Sequence, residues 1–149
     1  MERAERYRVV ILTFESEKMF ANPFLDCCVK AVFTGPSGQT IVREAYWDGE
    51  NIYRVAFAPT EEGIWSYAIN APGETGFDGA EGQVECVPYQ GELAVYRHGF
   101  LKISGDKRYF TYADGTPFFW LGDTHWEFAY REKWEESNHP EMDSMFKGM

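Results

Sequence analysis

A chain of 149 residues has room for one good-sized domain, or for one small domain and part of a second. Its 44% hydrophobic content excludes a wholly disordered chain. The formal charge of −10, from 24 acidic against 14 basic side chains with no Lys/Arg cluster, argues against nucleic acid and against an anionic membrane surface as partners.

Aromatic residues make up 17% of the chain, a share that suits a β-sandwich core and a sugar site equally. The opening Met1-Glu2-Arg3-Ala4-Glu5-Arg6 is charged, and Val9 to Leu12 is only a short apolar run. Neither a signal-peptide core nor a bilayer-spanning stretch is read from it. The three cysteines are an odd number, and Cys27 and Cys28 are neighbours that should face opposite sides of a strand. A disulfide framework is therefore not expected, and the reducing cytoplasm is the compartment inferred.

Tyr7 to Phe14, dense in β-branched and aromatic residues, reads as a first strand, ended by Asn22-Pro23. From Leu25 to Phe33 the alternation puts Leu25, Cys27, Val29, Ala31 and Phe33 on one face and Asp26, Cys28, Lys30 and Val32 on the other. After the turn Gly35-Pro36-Ser37-Gly38 come Thr40 to Trp47, the tight connection at Asp48-Gly49, and Ile52 to Ala58 with Tyr53, Val55 and Phe57 on one face. Ile64 to Ala71 follows, with Trp65, Tyr67 and Ile69 facing one way and read as core. Gly73 to Gly82 is expected to be a mobile loop, and Gln83 to Val87 the last strand of the block. Short strands at this spacing predict a mainly β fold, an immunoglobulin-like β-sandwich over residues 1–92.

The pattern changes at Pro88 to Glu92, taken as a linker, so residues 93–149 form a second part. Phe100 to Ser104 and Tyr109 to Tyr112 flank Gly105-Asp106-Lys107-Arg108 as a β-hairpin, and Asp114-Gly115-Thr116-Pro117 makes a second turn. Phe118 to Leu121 is an apolar run without alternation, as in a strand buried on both faces, with Trp120 read as core. In the last stretch Pro140 opens a helix on which Met142, Met145, Phe146 and Met149 form one stripe. This part is expected to be the truncated start of a (β/α)8 barrel.

Two sets of motifs carry a resemblance. Asn22-Pro23-Phe24, Tyr46-Trp47-Asp48-Gly49, and Phe57-Ala58-Pro59 through Glu62-Gly63-Ile64-Trp65-Ser66-Tyr67 resemble the β-sandwich domain that precedes some glycoside hydrolases. Phe100-Leu101-Lys102-Ile103, then Asp114-Gly115-Thr116-Pro117-Phe118-Phe119-Trp120-Leu121-Gly122-Asp123-Thr124-His125-Trp126, resemble the barrel entry of apiosidase-like glycosidases. The resemblance implies an N-terminal portion of a glycoside hydrolase acting on plant or microbial glycans, with carbohydrate as partner and catalytic acids on later barrel strands. A full barrel takes about 250 residues, and glycoside hydrolysis needs two carboxyl groups facing each other across the scissile bond. This stretch supplies no such pair, so no catalytic residue is assigned.

Asp123 follows the apolar run, at what would be the C-terminal mouth of the first barrel strand, and is read as a substrate-binding residue together with Trp126 and His125. The competing reading is a capping box, Thr124 with Glu127, which needs no ligand. No phosphate loop, nucleophile elbow or metal-ligand spacing is present, and no cofactor or metal is expected. The apolar residues of the second part are expected to promote self-association. The alternative function is a non-catalytic sandwich module that binds carbohydrate or braces a partner domain.

Overall fold

The computed structural model describes residues 1–122. Its strands are β1 (Glu2–Glu5), β2 (Val10–Glu15), β3 (Lys30–Thr34), β4 (Thr40–Glu44), β5 (Tyr46–Trp47), β6 (Ile52–Phe57), β7 (Gly63–Asn70), β8 (Glu81–Val87), β9 (Lys102–Ile103), β10 (Phe110–Thr111) and β11 (Pro117–Phe118). Two single-turn helices, α1 (Pro23–Asp26) and α2 (Ala94–Arg97), and a 3-10 turn at Gly73–Thr75 complete the described part. The fold is mainly β.

A five-stranded sheet ordered β1-β8-β7-β3-β4 faces a three-stranded sheet ordered β2-β6-β5. The neighbours are antiparallel except β1, which runs parallel to β8 with Glu2 opposite Val84 and Glu5 opposite Val87. That arrangement is the immunoglobulin-like outline expected from the strand spacing.

The period-2 patterns become core as read. Ala31 and Phe33 on β3, Val55 and Phe57 on β6, Trp65 on β7 and Val84 on β8 have no exposed surface, and Ile69 and Tyr53 are almost as deep. Phe33 lies parallel to Phe57 across the sandwich, ring centroids 3.7 Å apart, and Trp65 meets Phe57 edge-on at 5.2 Å. The indole nitrogen of Trp65 donates to the Glu61 carbonyl at 2.9 Å. This satisfies a buried donor and ties the β6–β7 corner to its own strand, the role a tyrosine hydroxyl has at that corner of antibody-type sandwiches.

Several expectations need correction. The strand read from Tyr7 to Phe14 begins only at Val10, because the chain turns at Tyr7, whose φ of 65° is left-handed, and residues 2–5 form a separate strand that pairs in the other sheet. Leu25 does not share the face of Cys27; Asn22 caps α1, and Leu25 stands 80% exposed on it. Thr40 to Trp47 breaks at Ala45, where the chain passes from one sheet to the other. The Gly73–Gly82 segment is anchored rather than loose. Thr75 is fully buried, Phe77 nearly so, and backbone bonds join Glu17 to Thr75 and Gly79 to Ile69. All three cysteines are free, Cys27 and Cys86 buried and Cys28 exposed, as the alternation requires. Burial pushes the Cys86 thiol up to about 11, which leaves it protonated and inert at neutral pH.

Trp65→Phe should therefore destabilise the protein by about 1–3 kcal/mol, through the lost hydrogen bond and the volume vacated. Ile64→Ala, on the neighbouring residue that faces outward, should stay within about 0.5 kcal/mol. Urea unfolding midpoints at unchanged slope measure both.

Candidate functional site

Strand direction gives the sandwich two ends. The turns at 6–9, 35–39 and 58–62 lie at one end, where the chain also leaves β8. The segments 16–29, 48–51 and 71–80 lie at the other. Residues 88–118 continue from the first end.

Their attachment runs through the β1–β2 turn. Tyr7, bonded from its backbone nitrogen to the Pro59 carbonyl at 2.8 Å, sends its ring edge-on against Phe100, centroids 5.2 Å apart. Gly99, at φ +87°, makes room for that ring. A Cβ there would lie 2.6 Å from Tyr7 Cζ and 2.8 Å from the Ala113 methyl. Beside it the Arg8 guanidinium lies 5.8 Å from the Tyr96 ring centre and pairs with Glu5 at 2.9 Å. Glu5 also accepts from the Gln90 backbone, and the Arg8 hydrogen bond, followed by that one, holds its carboxyl below the usual range. These contacts are a clasp between residues 5–8 and residues 89–100.

Beyond the clasp, β9, β10 and β11 form a small antiparallel sheet, ordered β11-β10-β9, in which Phe110 pairs with both Ile103 and Phe118. The buried Ser104 hydroxyl donates to Asp106 at 2.6 Å and accepts from the Arg108 and Tyr109 backbone, which shapes the β9–β10 turn. The next turn is held by Asp114. One carboxylate oxygen accepts from the Thr116 backbone at 2.9 Å, and the other lies 2.7 Å from His98 Nδ1. The backbone bond from Thr116, then the His98 contact, draws the Asp114 carboxyl down to about 2. The Asp114-Gly115-Thr116-Pro117 motif thus fixes the turn that leads into β11.

The compact packing of the sandwich and the small sheet extends from Met1 to Phe118, and a second unit begins at Phe119. Of the apolar run only Phe118 is strand, paired together with Pro117, and Phe119, Trp120 and Leu121 are 83%, 64% and 84% exposed. The run expected to be buried on both faces is not buried, because the pairing that β10 gives to β11 stops at Phe118. Asp123, His125 and Trp126, the residues read as sugar-binding, lie outside the described residues, as do the Thr124–Glu127 capping box and the terminal helix. Among the described residues no group of three or more His, Cys, Asp and Glu is placed to hold a metal, and no helix is long and apolar enough to cross a membrane.

Among the described residues, then, a sandwich carries a small three-stranded sheet at one end. Comparison with known families gives both parts a name. Residues 3–72 match the DUF5060 domain family, and residues 104–145 match the apiosidase-like catalytic domain. The chain is similar to a solved structure described as a putative glycoside hydrolase from Bacteroides vulgatus, with 24% identity and a TM-score of 0.74 over 89% of this chain. It spans 24% of that protein's length. A weaker likeness is to the Lin-41 filamin domain, with 17% identity and a TM-score of 0.45 over 59% of this chain and 85% of that one. No curated protein matches the chain. The two matches fall in the order that the motifs imply, a region similar to the DUF5060 domain followed by one similar to the apiosidase-like catalytic domain.

The clasp residues Tyr7, Gly99 and Phe100 and the His98–Asp114 pair have no local signature, since their partners are distant in sequence. Gly99→Ala should loosen the clasp by about 1–3 kcal/mol, from a left-handed backbone and a displaced ring. Faster protease cleavage between 88 and 101, with the Trp65 unfolding transition retained, is the readout. Because the folded carboxyl of Asp114 is depressed, its contribution is present above the ordinary carboxylate range and lost as pH falls through about 2. Asp114→Asn should therefore lower the melting temperature at pH 6 and make no difference near pH 1.5.

Proposed function

We propose that the chain serves a glycosidase-related protein as the sandwich, residues 1–92, and the entry of its catalytic barrel, residues 93–149. The sandwich braces that barrel, and Asp123, His125 and Trp126 contribute to the substrate mouth. The observation that carries this reading is the order of the two family matches, 3–72 and then 104–145, on a chain whose residues 93–118 are clasped to the sandwich. Tyr7 and Arg8 hold Phe100 and Tyr96 against the sandwich, and the His98–Asp114 contact holds the turn that leads into β11. Fixed geometry is what a site assembled from several strand ends requires.

Asp123 offers two acceptor oxygens to a vicinal diol, and Trp126 an apolar face to the same ring. The hydrolytic carboxyl pair would come from later strands, so the chain by itself should hydrolyse no aryl glycoside above buffer. Joined to the remainder of an apiosidase-like catalytic domain, it should become active. In that longer protein Asp123→Ala should lower kcat/KM about tenfold or more, the scale of a charge-assisted hydrogen bond. A lower melting temperature with unchanged kinetics would make Asp123 a helix cap and remove it from the site. Exposed Phe119 and Leu121 also favour self-association of the chain by itself.

A further inference from the structure

At the end of the sandwich away from the clasp there is a cleft of about 220 Å³ between α1, β5 and β6. Phe24, Tyr46 and Trp47 wall it, and Cys27 and Tyr53 line it more deeply. Phe24 is presented rather than loosely displayed. Asn22 Oδ1 accepts from its backbone nitrogen at 3.2 Å, and Asp26 Oδ2 accepts from the Asn22 nitrogen at 3.0 Å, a reciprocal closure of the single turn. The ring meets Trp47 edge-on at 5.2 Å, and Trp47 is itself fixed by its indole bond to the Glu50 carbonyl at 2.9 Å. Even so, Phe24 is 75% exposed, Leu25 80% and Tyr46 43%. Packing does not account for three large apolar side chains turned outward on two short adjoining elements, α1 and β5.

We propose that this cleft is a saccharide subsite belonging to the sandwich, which takes one ring of a neutral glycan. Its volume falls below the roughly 300–1,000 Å³ of sites for drug-sized ligands and suits a single ring. The aromatic walls offer faces to the C–H side of a sugar, while the hydroxyl groups need acceptors at the edge and depth of the cleft. Tyr53, 3% exposed, supplies a phenol oxygen at depth, and Asp26 stands on α1 directly before the lining residue Cys27. Burial first, then the neighbouring Cys27 thiol and the Asp26 charge, push that phenol's proton affinity up, so it is held as a neutral donor. An anionic ligand is disfavoured: Asp26, Asp48 and Glu50 lie on the flanking turns, and the Arg54 guanidinium is engaged with Asp48 at 2.9 Å. No residue of 93–118 lines the cleft. The choice of a saccharide over another neutral polyol rests on the glycosidase-related reading, whereas the cleft does not.

The test is affinity electrophoresis of the full chain through gels containing arabinoxylan, pectic galactan or hydroxyethyl cellulose. Retardation is expected in at least one gel, with apparent affinity falling about tenfold in Phe24→Ala and again in Phe24→Ala/Tyr46→Ala. Both residues are exposed enough that the melting temperature should hold. Migration unaffected in every gel would overturn the proposal, as would retardation that Phe24→Ala leaves intact. Self-association abolished by Phe24→Ala without glycan retardation would also overturn it and make the patch a protein contact. Failure of the glycosidase reading shows elsewhere, as absence of hydrolysis by the barrel-completed protein whatever occupies residue 24.

Discussion

The two sheets of the sandwich are held at a working distance by aromatic side chains that meet between them. Phe33 from the larger sheet and Phe57 from the smaller lie face to face, and Trp65 closes their edge. Every other placement follows from that contact. It sets which residues of β3, β6 and β7 point inward, and so which turns emerge at each end. Trp65 also binds its own corner, so the turn that receives Tyr7 is fixed by the same side chain that fills the core. A core built this way resists the loss of one ring poorly, because its neighbours cannot collapse without moving a strand.

Much of the sandwich could be read from the sequence because one physical rule dominates it. Residues that alternate between water and core declare both the strand and its face, and Cys27, Val29, Ala31 and Phe33 did so without ambiguity. The rule failed where something local took over. Leu25 fits the alternation but belongs to a turn capped by Asn22, and Tyr7 fits a strand but bends the chain through a left-handed conformation. Residues 2–5 show no alternation because only Ala4 of that strand is buried. Thr75 and Phe77 were hidden inside a glycine-rich, acidic stretch whose composition suggests exposure. Of the site, the sequence identifies chemistry by motif, at Asp123 above all, but it could not show the clasp. Nothing in residues 5–8 refers to residues 89–100 until the fold joins them.

The two ends of the sandwich carry different kinds of surface. At the clasp end the aromatic residues are matched, Tyr7 with Phe100 and Tyr89 with Tyr96, and the glycine at 99 exists to let two of them approach. At the far end Phe24, Leu25 and Tyr46 are left facing outward over a cleft. One end is spent on joining residues 5–8 to 89–100, and the other is left uncovered by the described residues. A scaffold with its attachment at one pole can support contact at the other without strain passing through the site.

The parallel pairing of β1 with β8 bears on how the protein emerges during synthesis. Glu2 to Glu5 find their partners only at Val84 to Val87, so the first strand made must wait for the last of the sandwich. Contacts so far apart in the chain are slow to form and leave an unpaired edge on β8's side of the sheet until they do. The sequence hands that edge to a short, charged strand, Glu2-Arg3-Ala4-Glu5, which is poorly suited to pairing with another nascent chain in the interval. Closure of β1 also brings the Tyr7 turn into place, so the surface that receives Phe100 forms only when the sandwich closes.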